Sequence, residues 1–321
     1  MHRHRNSRKP WIITALLAIA LLGTLLSHCR QVEKDYPRDE APKLDETWSF
    51  GSGDVKVVRI PLDGVIMRSE EEGFLTARSD MVASILAQVC AAERDPEMRA
   101  IILEVNSPGG GVTPSDEIYN ALRGFRQSRP DRRVVVFIRD LGASGAYYAA
   151  MAGDFIIAEP TAVVGSIGVI MQTMNFQGLS EKLGITDVTI KSGANKDMLN
   201  PFQPVNTNQV ALLQSLIDEM QKRFSGIVVE SRKLNAADAA GLFDGRIFSA
   251  SDALNKGLID EIGYWNDALA RTAQLLDTGA LRVVRYEPQR TFVEQLLEGK
   301  SPVVLPNLKL HSPQFLYLWK P

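Results

Sequence analysis

Two short runs limit the fold of this chain most: "RAIILEVN" at residues 99–106 and "RRVVVFIRD" at 132–140. Each has a continuous apolar stretch yet is too short for an ordinary helix, which is the pattern of a strand buried on both faces of a parallel sheet. Helical sequence surrounds them. "DMVASILAQVCAAE" (80–93) repeats apolar residues at helical spacing. "TPSDEIYNALRGFR" (113–126) opens with Thr113 as the expected N-cap, Pro114 at the first helical position and Asp116 closing a capping box. "VKVVRIPLDG" (55–64), "DFIIAEP" (154–160) and "TDVTIKSG" (186–193) read as further strands. A helix of small residues starts at Ser144, and a long amphipathic helix is expected from about Asn208 to Lys233. Strand alternating with helix predicts an α/β fold with a largely parallel sheet and right-handed crossovers.

Composition narrows the chemistry. The formal net charge of −2 supplies no basic face, so nucleic acid is not an expected partner. The two cysteines, Cys29 and Cys90, cannot build a disulfide framework, and no zinc-type Cys/His spacing exists, so neither metal nor cofactor is expected. Cys90 falls in a helical apolar pattern and is expected as a buried structural thiol.

The N-terminus breaks the globular pattern. A basic tail, residues 1–10, precedes an apolar stretch at 11–28 that is long enough to span a bilayer and lacks a small-x-small cleavage site. It reads as an uncleaved transmembrane helix with the basic end cytoplasmic, in the inner membrane, leaving the rest on the extracytoplasmic side. Polar, aperiodic residues 29–54 read as a linker, 55–290 as one domain, and 291–321 as a C-terminal tail of undecided role. The aromatic cluster in "SPQFLYLWKP" has three destinations open to it: the domain, the membrane surface or a partner.

Three stretches are candidates for chemistry. "NSPGGG" (106–111) joins a buried strand to a helix, where glycines let the backbone approach a ligand with N–H groups aimed outward, as in an oxyanion hole. It is neither a dinucleotide fingerprint nor a Walker loop. Ser144 also follows a strand and starts a helix, so it reads either as a nucleophile or as an N-cap. No histidine is available to it between Arg30 and Leu310, since the four of the chain, His2, His4, His28 and His311, lie in the tails. "KSGANKD" (191–197) offers two lysines, Lys191 and Lys196, as bases in its place. A lysine acts so only when neutral, which requires its pKa to fall from about 10.4 to roughly 7–8.

Taken together and in order, "VNSPGGGV", "GASGAYY", "VVGSIGVIM", "IKSGANKDMLNPF" and "DGRIFSASDALNKGLIDEIG" resemble the signal peptide peptidase A family of Ser-Lys membrane peptidases, in a short single-unit form, from about Val55 to Ala268. The resemblance implies a Clp protease/crotonase-like fold with Ser144 as nucleophile and Lys196, rather than Lys191, as base. It further implies that Ser166 positions the lysine amine, and that the N–H groups of Ser144 and a glycine aligned to Gly110 form the oxyanion hole, with Gly109 and Gly111 as neighbouring possibilities. Ala146 stands where the family often has glycine. A homo-oligomer, an octamer by family analogy, is implied, with serine and lysine from adjacent copies and extended apolar peptides such as signal-peptide remnants as substrates. Two other readings share these features: a scaffold or peptidase dedicated to one stomatin-like membrane partner, and a crotonase-type acyl-CoA enzyme.

Overall fold

The computed structural model describes residues 44–68, 80–235, 239–288 and 315–319. The expected transmembrane stretch, 11–28, lies outside them; among the described residues no helix is long and apolar enough to cross a membrane.

The core is a sheet in which β2 (Val55–Asp63), β3 (Met98–Ser107), β5 (Arg133–Ala143), β6 (Phe155–Ala158) and β10 (Glu261–Ile262) run parallel in that order. On the outer side of β2 comes β11 (Leu281–Pro288), also parallel, and then β1 (Leu44–Phe50), antiparallel. Residues 44–50, read above as linker, are therefore a sheet strand: their backbone groups pair with β11 from Leu44↔Pro288 onward. The α/β class and the largely parallel sheet agree with the sequence pattern.

The unbroken apolar runs have a direct structural cause. Alternate residues of β3 and β5 feed two cores on opposite faces of the sheet. Ile101, Leu103, Val105, Val134, Val136 and Ile138 pack into the larger one. It is covered by α1 (Met81–Arg94), α2 (Val112–Ser128), α3 (Gly145–Ala150) and α5 (Thr207–Arg232). Ala100, Ile102, Val135 and Phe137 pack into the smaller one under α7 (Trp265–Leu275). At its rim, buried Glu104 is held by Arg59 at 2.5 Å and Arg139 at 3.1 Å. Burial alone would raise the Glu104 carboxyl, but the two guanidinium groups outweigh it and keep it below the usual range.

Four local expectations are corrected. Helix α2 begins at Val112 with Gly111 as N-cap and no side-chain cap, so Thr113 is not the cap. Asp116 closes no capping box; it accepts hydrogen bonds from Tyr148 Oη and from Arg223, which takes its side chain across to α3 and α5. The stretch 186–193 is not a strand. Val188 and Ile190 are 82% and 98% exposed, and among the described residues no strand pairs with this stretch. Cys90 is half-buried rather than buried.

A second, small antiparallel sheet completes the fold. Its middle strand is β12 (Phe315–Leu318), lying between β4 (Gly109–Gly111) and β8 (Ile170–Met171). The aromatic cluster of the tail docks on the domain.

Candidate active site

Strands β3 and β5 end side by side, with Ser107 opposite Gly142, so the glycine strand β4 and the Ser144 turn arrive at the same sheet edge. Strand β7 (Val163–Gly165) pairs with the end of β5 and brings Ser166 to that edge as well. A Cβ built on Gly145 would lie 3.1 Å from the Gly110 nitrogen, which measures how closely the turn and β4 approach.

Ser144 has φ 54° and ψ −117°, a backbone conformation that L residues rarely adopt and that costs about 1–3 kcal/mol. Both of its peptide groups are tied down. Its N–H donates to the Gly165 carbonyl at 2.7 Å, and its own carbonyl accepts from the Tyr148 N–H at 2.8 Å. The side chain is 1% exposed and caps nothing in α3, and Oγ has no hydrogen-bond partner among the described residues. A serine serving as an N-cap would bond an N–H of the first turn. This one does not, so the capping reading fails.

The same bonds correct the oxyanion expectation. Because the Ser144 N–H is spent on Gly165, it is not free to face a substrate oxygen. The next N–H, that of Gly145, opens α3 and has no carbonyl to reach within the helix. Among the three glycines the choice is also structural. Gly109 N–H donates to Ser107 Oγ at 3.1 Å, and Gly111 N–H donates to the Ile66 carbonyl at 2.8 Å. Successive N–H groups of a strand point to opposite edges, so that of Gly110 faces away from Ile66, toward β12. A Cβ on Gly110 would overlap the Ile66 backbone, which explains the glycine.

The backbone pairings bring Ser144, Ser166 and Gly110 to one sheet edge, and Lys196 makes no hydrogen bond to the Ser144 hydroxyl. Lys196 is exposed and makes no side-chain hydrogen bond or ion pair among the described residues. Lys191 differs: its ammonium is paired with Asp197 at 2.6 Å. Ser166 sits at φ 51°, directly after Gly165, with its N–H on the Arg246 carbonyl at 2.8 Å.

The sequence matches peptidase family S49 over residues 126–279, which hold Ser144, Ser166 and Lys196, and Clp protease over residues 73–164. A putative protease of Synechocystis is 32% identical over 77% of this chain and 84% of its own length. The chain belongs to peptidase family S49, a family of serine-type peptidases. A putative signal peptide peptidase SppA of Enterococcus faecium is 34% identical over 70% of this chain. A putative protease of Methanocaldococcus jannaschii is 39% identical over 60% of it. This S49 chain spans 65% and 61% of the lengths of those two relatives.

Proposed function

We propose that this S49 chain is a serine endopeptidase working on extended apolar peptides, such as signal-peptide remnants, through a Ser144–Lys196 dyad. The observation that carries the reading is the Ser144 hydroxyl: buried, unpartnered, and fixed in a strained turn beside the glycine strand. Such strain persists only where the surroundings over-determine it, and it gathers at functional sites.

The chemistry runs without histidine. Neutral Lys196 Nζ takes the Ser144 proton as Oγ attacks the peptide carbonyl carbon. The Gly110 and Gly145 N–H groups receive the resulting oxyanion. Collapse expels the amine, which takes the proton back from the lysine and leaves an acyl-enzyme on Ser144. Water then attacks the acyl carbon and gives its proton to Lys196; collapse breaks the bond to Ser144 Oγ, which takes that proton back from the lysine as the peptide acid departs. Ser166 positions the lysine amine in this scheme.

Lys196 reaches Ser144 from a neighbouring copy. Supporting this is the segment that carries it, where Leu183, Ile185, Val188 and Ile190 are exposed in the single chain. A homo-oligomer, in the family's manner an octamer, covers that surface and closes the dyad. Residues 11–28 anchor it in the inner membrane with the catalytic domain on the extracytoplasmic side.

The test is turnover of a fluorogenic apolar peptide by wild type, Ser144→Ala and Lys196→Ala, each sized by light scattering. Activity in a large assembly, lost in both variants and rising with pH in wild type, is the expected result. A rate flat between about pH 6 and 9 excludes a lysine base.

A further inference from the structure

Two helices leave the candidate site, and they are tied to each other at their first turns. Helix α2 follows Gly110 and the rest of strand β4; α3 follows Ser144. Ser115 Oγ of α2 donates to the Gly111 carbonyl at 2.8 Å, and a Cβ built on Gly145 would overlap it, so the two turns are in direct contact. At the next position Asp116 accepts a hydrogen bond from Tyr148 Oη at 2.5 Å. The N–H of that same tyrosine donates to the Ser144 carbonyl at 2.8 Å. A chain of bonds therefore runs from the helix behind the glycine strand to the peptide group of the Ser144 turn.

The surroundings of Tyr148 keep that chain in place. Its side chain is fully buried, edge-on to Tyr119 with centroids 5.4 Å apart and packed on Phe224 at 5.0 Å, which fixes the ring. Burial, and after it the Asp116 carboxylate, push the phenol above its ordinary pKa, so the hydroxyl stays protonated and donates. Arg223 of α5 holds the acceptor: its Nη2 and Nε reach Asp116 Oδ1 at 2.6 and 3.2 Å. That guanidinium is more than half exposed, so the pair is worth little in energy and serves to aim the carboxylate. Tyr147, the neighbour in α3, offers the contrast. It is as deeply buried, but its hydroxyl donates at 2.6 Å to the carbonyl of Leu258, which belongs to neither α2 nor the Ser144 turn.

We propose that Tyr148 and Asp116 are positioning residues, whose bond holds the Ser144 turn in register with the Gly110 N–H. The proposal rests on the peptidase reading given above. Ser144 sits in a backbone conformation that costs free energy, and a turn released from its bonds relaxes. Relaxation displaces Oγ relative to the oxyanion donor, and a shift of about 1 Å in a reacting group costs about 10²-fold in rate. Neither side chain touches the substrate in this scheme, so the loss falls on kcat and leaves KM.

The experiment measures kcat and KM of the full chain on the fluorogenic apolar peptide, together with melting temperature and light scattering. Tyr148→Phe and Asp116→Ala are each expected to lower kcat about 10- to 100-fold with KM within about twofold. The double variant should be no slower than the slower single one, because both changes break one bond. Asp116→Asn keeps an acceptor for the Tyr148 hydroxyl and should retain kcat within about threefold. Tyr147→Phe should lower the melting temperature, as the loss of a buried hydrogen bond does, while kcat stays at the wild-type value. Wild-type kcat in Tyr148→Phe, a loss confined to KM, or an equal loss of kcat in Tyr147→Phe overturns the proposal. If Tyr148→Phe does not fold, Asp116→Ala against Asp116→Asn, at a half-buried position of α2, decides alone, and equal kcat in those two overturns it. Wild type that neither cleaves the peptide nor reacts at Ser144 with a fluorophosphonate sinks the peptidase reading and this proposal with it. An active wild type indifferent to these substitutions sinks this proposal alone.

Discussion

The Ser144 turn and the Lys196 segment belong to one proposed reaction, yet they are built in opposite ways. Ser144 is 1% exposed, with backbone bonds on both sides and aromatic residues of the larger core behind it. Among the described residues the segment around Lys196 has no partner strand, and it displays Ile190 at 98% exposure. One half of the machinery is paid for by the fold of a single chain. The other half is a surface whose apolar side chains are satisfied only when something covers them. On the reading proposed above, the nucleophile is a property of the monomer and the base a property of the assembly.

The sharpest test of that division removes the nucleophile. Ser144→Ala is expected to lower the cleavage rate at least about 10⁴-fold while assembly size and circular dichroism stay as in wild type, because the hydroxyl bonds to nothing. Retention of activity ends Ser144's role.

Next comes the lysine pair. Lys196→Ala should cost about 10³-fold or more, against about threefold or less for Lys191→Ala, whose ammonium is engaged by Asp197. Steady-state rates with the two effects reversed would assign the base to the other lysine.

Gly110→Ala asks whether the monomer half includes the oxyanion donor. The new methyl meets the Ile66 backbone and moves the N–H, for an expected loss of about 10²- to 10³-fold in kcat, with KM little changed. A normal kcat would remove Gly110 from the hole.

Ile190→Asp addresses the assembly half alone. A fully exposed side chain contributes little to the monomer, so chain stability should stay within about 0.5 kcal/mol while light scattering reports smaller species and activity falls with them. An intact, active assembly would place the interface elsewhere.

The smallest effect concerns the scaffold beneath both regions. Glu104 is held below the ordinary glutamate value of 4.5, because the Arg59 and Arg139 pairs outweigh the burial that would raise it. Its unfolded-state value is therefore the higher one. The stability it contributes is complete above about pH 4.5 and drains away as the pH falls through the lower folded value. Melting temperatures of Glu104→Gln should accordingly show a shallower acid decline than wild type; parallel curves would refute the assignment.

Local pattern was enough for much of this molecule. The apolar runs of β3 and β5 had to be strands buried on both faces, since no other element hides consecutive side chains in so short a length. The long helix was expected over 208–233 and is found at Thr207–Arg232, capped by Asn206 as its side-chain chemistry favours. With no histidine between Arg30 and Leu310, lysine is the base that the sequence offers Ser144. Where local pattern points elsewhere, a competing contact wins. Asp116 leaves the helix terminus for Tyr148 and Arg223, and "TDVTI", with strand-like composition, pairs with no strand among the described residues.

Three matters were settled by tertiary structure. Which way the N–H groups around Ser144 point depends on the strained backbone of Ser144, on the Gly165 and Ile66 carbonyls that take those of Ser144 and Gly111, and on β12, toward which that of Gly110 is directed. The destination of "FLYLW" depends on a groove made by β4 and β8, which lie about 60 residues apart in the chain and far from residue 315. That Lys196 is exposed and makes no bond to the buried Ser144 hydroxyl follows from where the folded chain places its segment. Sequence determined the strands, the long helix and the residue types that carry chemistry, because these follow from side-chain polarity and spacing along one local stretch. Tertiary structure decided which backbone donors are spent and which remain, because a hydrogen bond is allotted by proximity among distant segments.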